Sequence, residues 1–170
     1  MQHMFDSLDS QVVAMSVSRD DKVLAAGDDM DMVHLFDLIA RTQICQIKSV
    51  GNHIRDIHME DSQSVVVGFE DHLAVFDKEG KPIKGYDFNE QNGKMLGIRK
   101  KENLVLISTR TGNFCIFDIL SDEAPRTFKI GNLPEDTELS HVAFDVSFTR
   151  GMAGTVNGEL FSLDTKSGHN

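Results

Sequence analysis

The chain has no tryptophan, one tyrosine, two cysteines and three prolines. Each scarcity narrows the reading. Cys45 and Cys115 form no CxxC pair, so neither a disulfide framework nor a cysteine zinc site is supported, and a reducing compartment, cytosol or nucleus, is expected. No apolar run approaches the ~20 residues of a membrane span. The opening "MQHMFDSLDS" shows neither the basic nor the apolar region of a signal peptide. Positive charge is also short: 17 Lys and Arg against 27 Asp and Glu leave a formal net charge of −10. That balance argues against a broad phosphate-binding footprint and suits basic partners. The one basic cluster is Arg99-Lys100-Lys101, which reads as a solvated turn or, alternatively, as a contact for RNA or an acidic partner.

Signatures of catalysis are missing as well. There is no GxxxxGK[ST], GxSxG, HExxH or GxGxxG. His53 and His58, five residues apart, point to opposite faces of a strand. Asp28, Asp29 and Asp31 resemble part of a calcium loop, but Met30 and Met32 interrupt them and no Glu closes the loop. No metal, no cofactor and no catalytic residue is expected. Cys45 and Cys115 lie in apolar strands and read as core thiols.

What is present is a recurring phrase. "HLFDL", "AVFDK", "CIFDI" and "FSLDT" place Phe36-Asp37, Phe76-Asp77, Phe117-Asp118 and Leu163-Asp164 at intervals of 40, 41 and 46 residues. Periods of 40 to 45 mark β-propeller blades. Eight or nine residues before each phrase stands a small residue: Gly27, Gly68, Ser108 and Gly154, each ending a β-prone run. Tight turns follow, clearest in "RTGN" and "VNGE", where Gly112 and Gly158 supply positive φ. Upstream come further strands ("VAMSV", "IRDIH", "MLGI", "VAFDV"), and downstream "QICQI", "PIKGY" and "RTFKI" are fourth strands. The segments are short and often alternating, as in "MVHLF", and no window carries helical spacing. Phe36, Phe76 and Phe117 repeat inside strands, so they are expected to be core and not an aromatic binding stripe.

"SRDDKVLAAGDDMDMVHLFD" resembles the WD40 repeat, with Phe-Asp or Leu-Asp standing where that family has Trp-Asp. "TGNFCIFD" and "NGELFSLD" match its closing hairpin in spacing, and the resemblance covers residues 11 to 165. The Gly-His that opens a WD40 repeat is kept only loosely, as Asn52-His53 and Ser140-His141. The resemblance implies an all-β, WD40-like propeller of four antiparallel blades in one domain over 1–170, with blades near 11–52, 53–93, 94–139 and 140–170. Two closures stay open. Residues 2 to 8 supply the outer strand of the last blade in a small four-bladed ring, or the chain is a partial propeller completed edge to edge by another chain. The partial form is preferred, because blades shaped for a larger ring must bend hard to close at four.

The resemblance further implies a non-catalytic protein–protein interaction scaffold of a eukaryotic multiprotein complex, cytoplasmic or nuclear. Its binding face would carry Asp28, Asp29, Asp31, His53, Phe69, Glu70, Asp71, Arg110 and Val156, beside the loop 131–140. Phe69, directly after Gly68, is either an exposed anchor or folded back on its blade. The acid on this face points to a basic or amphipathic protein segment as ligand. An RNA-associated subunit using Arg99 to Lys101 is the alternative, and a propeller enzyme is third.

Overall fold

The computed structural model describes residues 8, 10–48, 53–87, 93–130, 133–134 and 137–165. All regular structure among them is β: fifteen strands in four antiparallel sheets, with no helix. The chain divides into two compact units, Met1–Asp87 and Phe88–Asn170.

In the first unit, β1 (Val12–Val17), β2 (Val23–Asp28), β3 (Met32–Asp37) and β4 (Thr42–Lys48) form one sheet in chain order. Strands β5 (Asp56–His58), β6 (Ser64–Gly68), β7 (His72–Asp77) and β8 (Pro82–Asp87) form the next. Each middle strand is buried on both faces, which explains why "SVVVG" and "HLAVF" run apolar without alternating. Their shared core packs Val33, Leu35 and Ile47 of the first sheet against Ile57, Val65 and Val67 of the second. A Cβ on Gly27 would lie 2.8 Å from Ile57 Cδ1, so the small residue at this point of the repeat lets the two sheets approach.

The second unit repeats the plan. Strands β9 (Met95–Lys101), β10 (Leu104–Thr109), β11 (Asn113–Asp118) and β12 (Arg126–Lys129) make a four-stranded sheet. Strands β13 (Leu139–Phe144), β14 (Arg150–Thr155) and β15 (Leu160–Asp164) make a sheet of three among the described residues. Phe114 stacks on Phe128 with ring centroids 5.0 Å apart and meets Phe144 edge-on at 5.6 Å.

The repeated phrase has a local cause at each half. Phe36, Phe76, Phe117 and Leu163 are all buried. The following Asp turns the chain: Asp37 Oδ1 accepts from the amides of Ile39 and Ala40, Asp77 Oδ1 from Glu79 and Lys81, and Asp118 Oδ1 from Leu120. These are Asx-type turns, in which a short carboxylate satisfies amides that the ladder has just released. A register shift recurs immediately before Phe36 and before Phe76, so the backbone repeats along with the sequence. Gly112 and Gly158 have φ of 76° and 86°, the left-handed values their turns require.

One expectation is corrected here. Arg99-Lys100-Lys101 is not a turn: β9 runs through Lys101, and the reversal falls at Glu102, with φ 52°. Of residues 2 to 8, which one of the two closures would use as an outer strand, all but residue 8 lie outside the described residues, as does Asn52 of the Asn52-His53 pair.

Candidate functional site: an acid-lined cleft in the first unit

The β2–β3 turn and the segment leading into β5 converge on a cleft of about 490 Å³ lined by Val13, Asp28, Asp29, Asp31, His53, Ile54, Arg55 and Glu70. Four carboxylates thus surround a single Arg. Five of the nine residues expected on a binding face meet here, from the separate stretches "GDDMD", "NHIR" and "GFED".

The carboxylates play different parts. Asp28, expected on the open face, is instead buried at the base of the cleft lining, where it anchors the turn. Its residue exposure is 2%, and it gathers Ser10 Oγ at 2.6 Å, the amides of Met30 and Met32 at 3.0 and 2.8 Å, and His34 Nε2 at 2.9 Å. Burial pushes its carboxyl up, but these four partners outweigh burial and hold it below the usual carboxylate value. Gln43 Nε2 approaches the other ring nitrogen of His34 at 3.3 Å, which extends the network across the sheet.

Asp31 ties the two sheets of the unit together. Its φ is 61°, and its Oδ1 accepts from the Ile54 amide at 3.1 Å. Asp29 is exposed, and its Oδ1 accepts the Gln11 amide at 3.1 Å, which leaves Oδ2 for solvent. Glu70 pairs with Arg55 across the cleft wall. His53 is exposed with φ 59°. Among the described residues no three His, Cys, Asp or Glu side chains are grouped to hold a metal ion.

Phe69 is not an exposed anchor. It is fully buried and stacks on His72 with centroids 4.3 Å apart and rings 9° from parallel. Phe69 N donates to His72 O, which closes the hairpin, and the ring belongs to the core shared by the two sheets of the unit. Asp71, one residue before His72, is exposed and pairs with His72 Nδ1 at 3.0 Å; that bond lowers its carboxyl pKa.

Arg110 and Val156 belong to the second unit, where they flank Glu138. Arg110 Nη1 lies 3.5 Å from Glu138 Oε2, and the Val156 amide donates to the Glu138 carbonyl at 3.0 Å. Of the loop 131–140, residues 131, 132, 135 and 136 lie outside the described residues. The basic triplet does not present three cations. Lys100 is 5% exposed, and the Arg99 guanidinium donates to the Ile98 carbonyl at 2.6 Å. Alternation along β9 explains this, because a strand cannot turn three successive side chains to one side.

Val13, Ile54 and Arg55 line the cleft but were not expected from the sequence. The available signal was positional: Ile54 and Arg55 directly follow His53 on the same approach to β5.

No protein-family model matches the chain, and no curated protein sequence matches it. Solved structures do. The β-propeller domain of Myceliophteria thermophila Cps50 (Swd1) superposes with a TM-score of 0.78 at 13% identity, over 96% of this chain and 54% of that one. The fold is a β-propeller fold. The computationally designed protein Ika4 superposes with a TM-score of 0.73 at 14% identity, over 96% of this chain and 99% of that one. The chain therefore spans about half the length of the Cps50 propeller domain, which agrees with a partial propeller. The Cps50 propeller domain agrees with the resemblance in fold, and identities this low carry the fold alone.

Proposed function

We propose that the chain is a non-catalytic interaction module that takes up a basic segment of another protein along the cleft lined by Asp29, Asp31, His53 and Glu70. The observation that carries this reading is the convergence of carboxylates from two sheets on one open concavity, with Asp29 keeping an oxygen to solvent. Asp28 and Asp31 are held by backbone amides, so the rim is set before any ligand arrives. A Lys or Arg side chain entering it would find fixed acceptors, at a smaller ordering cost than a mobile loop imposes. The net charge of −10 would raise the encounter rate with such a segment. A eukaryotic multiprotein complex in the cytoplasm or nucleus is the setting that the WD40 resemblance suggests for such a module. RNA association is not favoured, because Lys100 is buried in β9.

The test is a titration of the labelled protein with a lysine-rich synthetic peptide, followed by amide chemical shifts. Shifts should cluster at Asp29, Asp31, His53 and Arg55. Asp29→Lys should weaken the peptide at least tenfold without altering the remaining spectrum. Undiminished affinity in that variant, or shifts spread evenly over the chain, would remove the cleft from consideration.

A further inference from the structure

The acid-lined cleft already holds a cation of the chain's own. Arg55 is the one lining residue with a fixed positive charge, and its guanidinium donates to the Glu70 carboxylate. Asp29 and Asp31 line the same cleft from the β2–β3 turn of the other sheet.

The Arg55–Glu70 pair is not what holds this part of the fold. Backbone amides do that: Arg55 N donates to Gly68 O at 2.8 Å, Phe69 N to His72 O at 2.9 Å, and Ile54 N to Asp31 Oδ1 at 3.1 Å. Removing the Arg55 side chain would leave all three bonds in place. Nor is the pair sealed from water, since the two side chains are 40% and 28% exposed. An ion pair this open is weak enough for a competing cation to replace.

We infer that Arg55 is an internal competitor for the cleft: it occupies Glu70 in the free protein, and a cationic side chain of the partner segment displaces it. The inference rests on the proposed peptide cleft and adds what limits its affinity and which cation it favours. A guest guanidinium returns to Glu70 the planar fork of donors that Arg55 withdraws, whereas an ammonium returns a point charge. An arginine-bearing segment is therefore held more tightly than the same segment with lysine.

Calorimetric titration of the full chain with two synthetic peptides, one lysine-rich and one with arginine at the same positions, tests this. Arg55→Ala should tighten the lysine-rich peptide by about fivefold, the scale of one partly exposed ion pair. Lys48→Ala removes the same charge from an exposed site outside the cleft and should change affinity by less than about twofold, because salt screens it. The native chain should prefer the arginine peptide. Glu70→Gln should weaken binding more in the Arg55→Ala background than in the native chain, because only there does the guest gain Glu70 without a competitor. In the isotope-labelled native protein, the Arg55 Nε–H resonance should move on saturation with unlabelled peptide, a readout that needs no variant. An affinity that Arg55→Ala leaves unchanged or lowers, equal binding of the two peptides, an equal effect of Glu70→Gln in both backgrounds, or a stationary Arg55 resonance would each overturn the inference. The cleft itself would survive those results if Asp29→Lys still weakened the peptide. Binding that ignores Asp29→Lys, or that is absent from both the native chain and Arg55→Ala, would remove the cleft and its competitor together.

Discussion

Asp28 shows how one residue type serves opposite ends within four positions of sequence. Its neighbour Asp29 faces solvent, yet Asp28 is buried and holds Ser10, two backbone amides and His34. Removing the carboxylate would strand those donors, and a stranded buried donor costs more than the net worth of its bond. Asp28→Ala should therefore destabilise the protein by about 3 kcal/mol in urea unfolding. The pH dependence follows with its sign. The Asp28 carboxyl sits below its ordinary value of 3.8, so its contribution is complete above that value and is lost as pH falls through the lower folded-state value. Asp20, drawn to about 2 chiefly by the Ser18 hydroxyl, titrates in the same direction on the surface. Stability measured by denaturant should hold from pH 7 to about 4 and decline below it, and Asp28→Asn should flatten that acid limb.

At the scale of the element, the repeat was legible because each of its parts has a short-range cause. Asp37, Asp77 and Asp118 satisfy turn amides two to four residues on, and Gly112 and Gly158 supply left-handed turns. None of these depends on distant partners. Equivalent positions in the repeat nevertheless differ once packing is added. An added Cβ at Gly27 meets Ile57 at 2.8 Å and Ile54 at 3.0 Å, whereas at Gly154 the nearest atoms lie at 3.6 Å, an ordinary contact. Gly27→Ala should cost about 1–2 kcal/mol while Gly154→Ala stays within about 0.5 kcal/mol. Paired thermal melts of the two variants check this, and equal losses would contradict it. The triplet Arg99 to Lys101 misled for the same reason in reverse. Three charges in a row suggest a turn by composition, but β9 pairs with β10 through Lys101, and the ladder dictates which side chains turn inward.

For the whole molecule, charge decides the kind of partner that is drawn in. The formal net charge of −10 acts over a Debye length and favours cationic ligands. Association of a lysine-rich peptide with the cleft should accordingly slow by tenfold or more between about 0.02 and 0.5 M salt. Stopped-flow rates read this directly, and a salt-independent rate would point to apolar docking instead.

The sequence by itself determined the strand count per repeat, the period, the buried Phe or Leu and the turn Asp, because these follow from alternation, turn chemistry and spacing along the chain. It also brought forward the acidic stretch and the loops that meet at the cleft. Only the tertiary structure decided which of those acids are open. Asp28 and Asp29 are alike in sequence, and Phe69 follows Gly68 whether its ring is exposed or buried. Side-chain fate at a turn is set by what the neighbouring hairpin and sheet place against it, and that contact is not written in the local pattern.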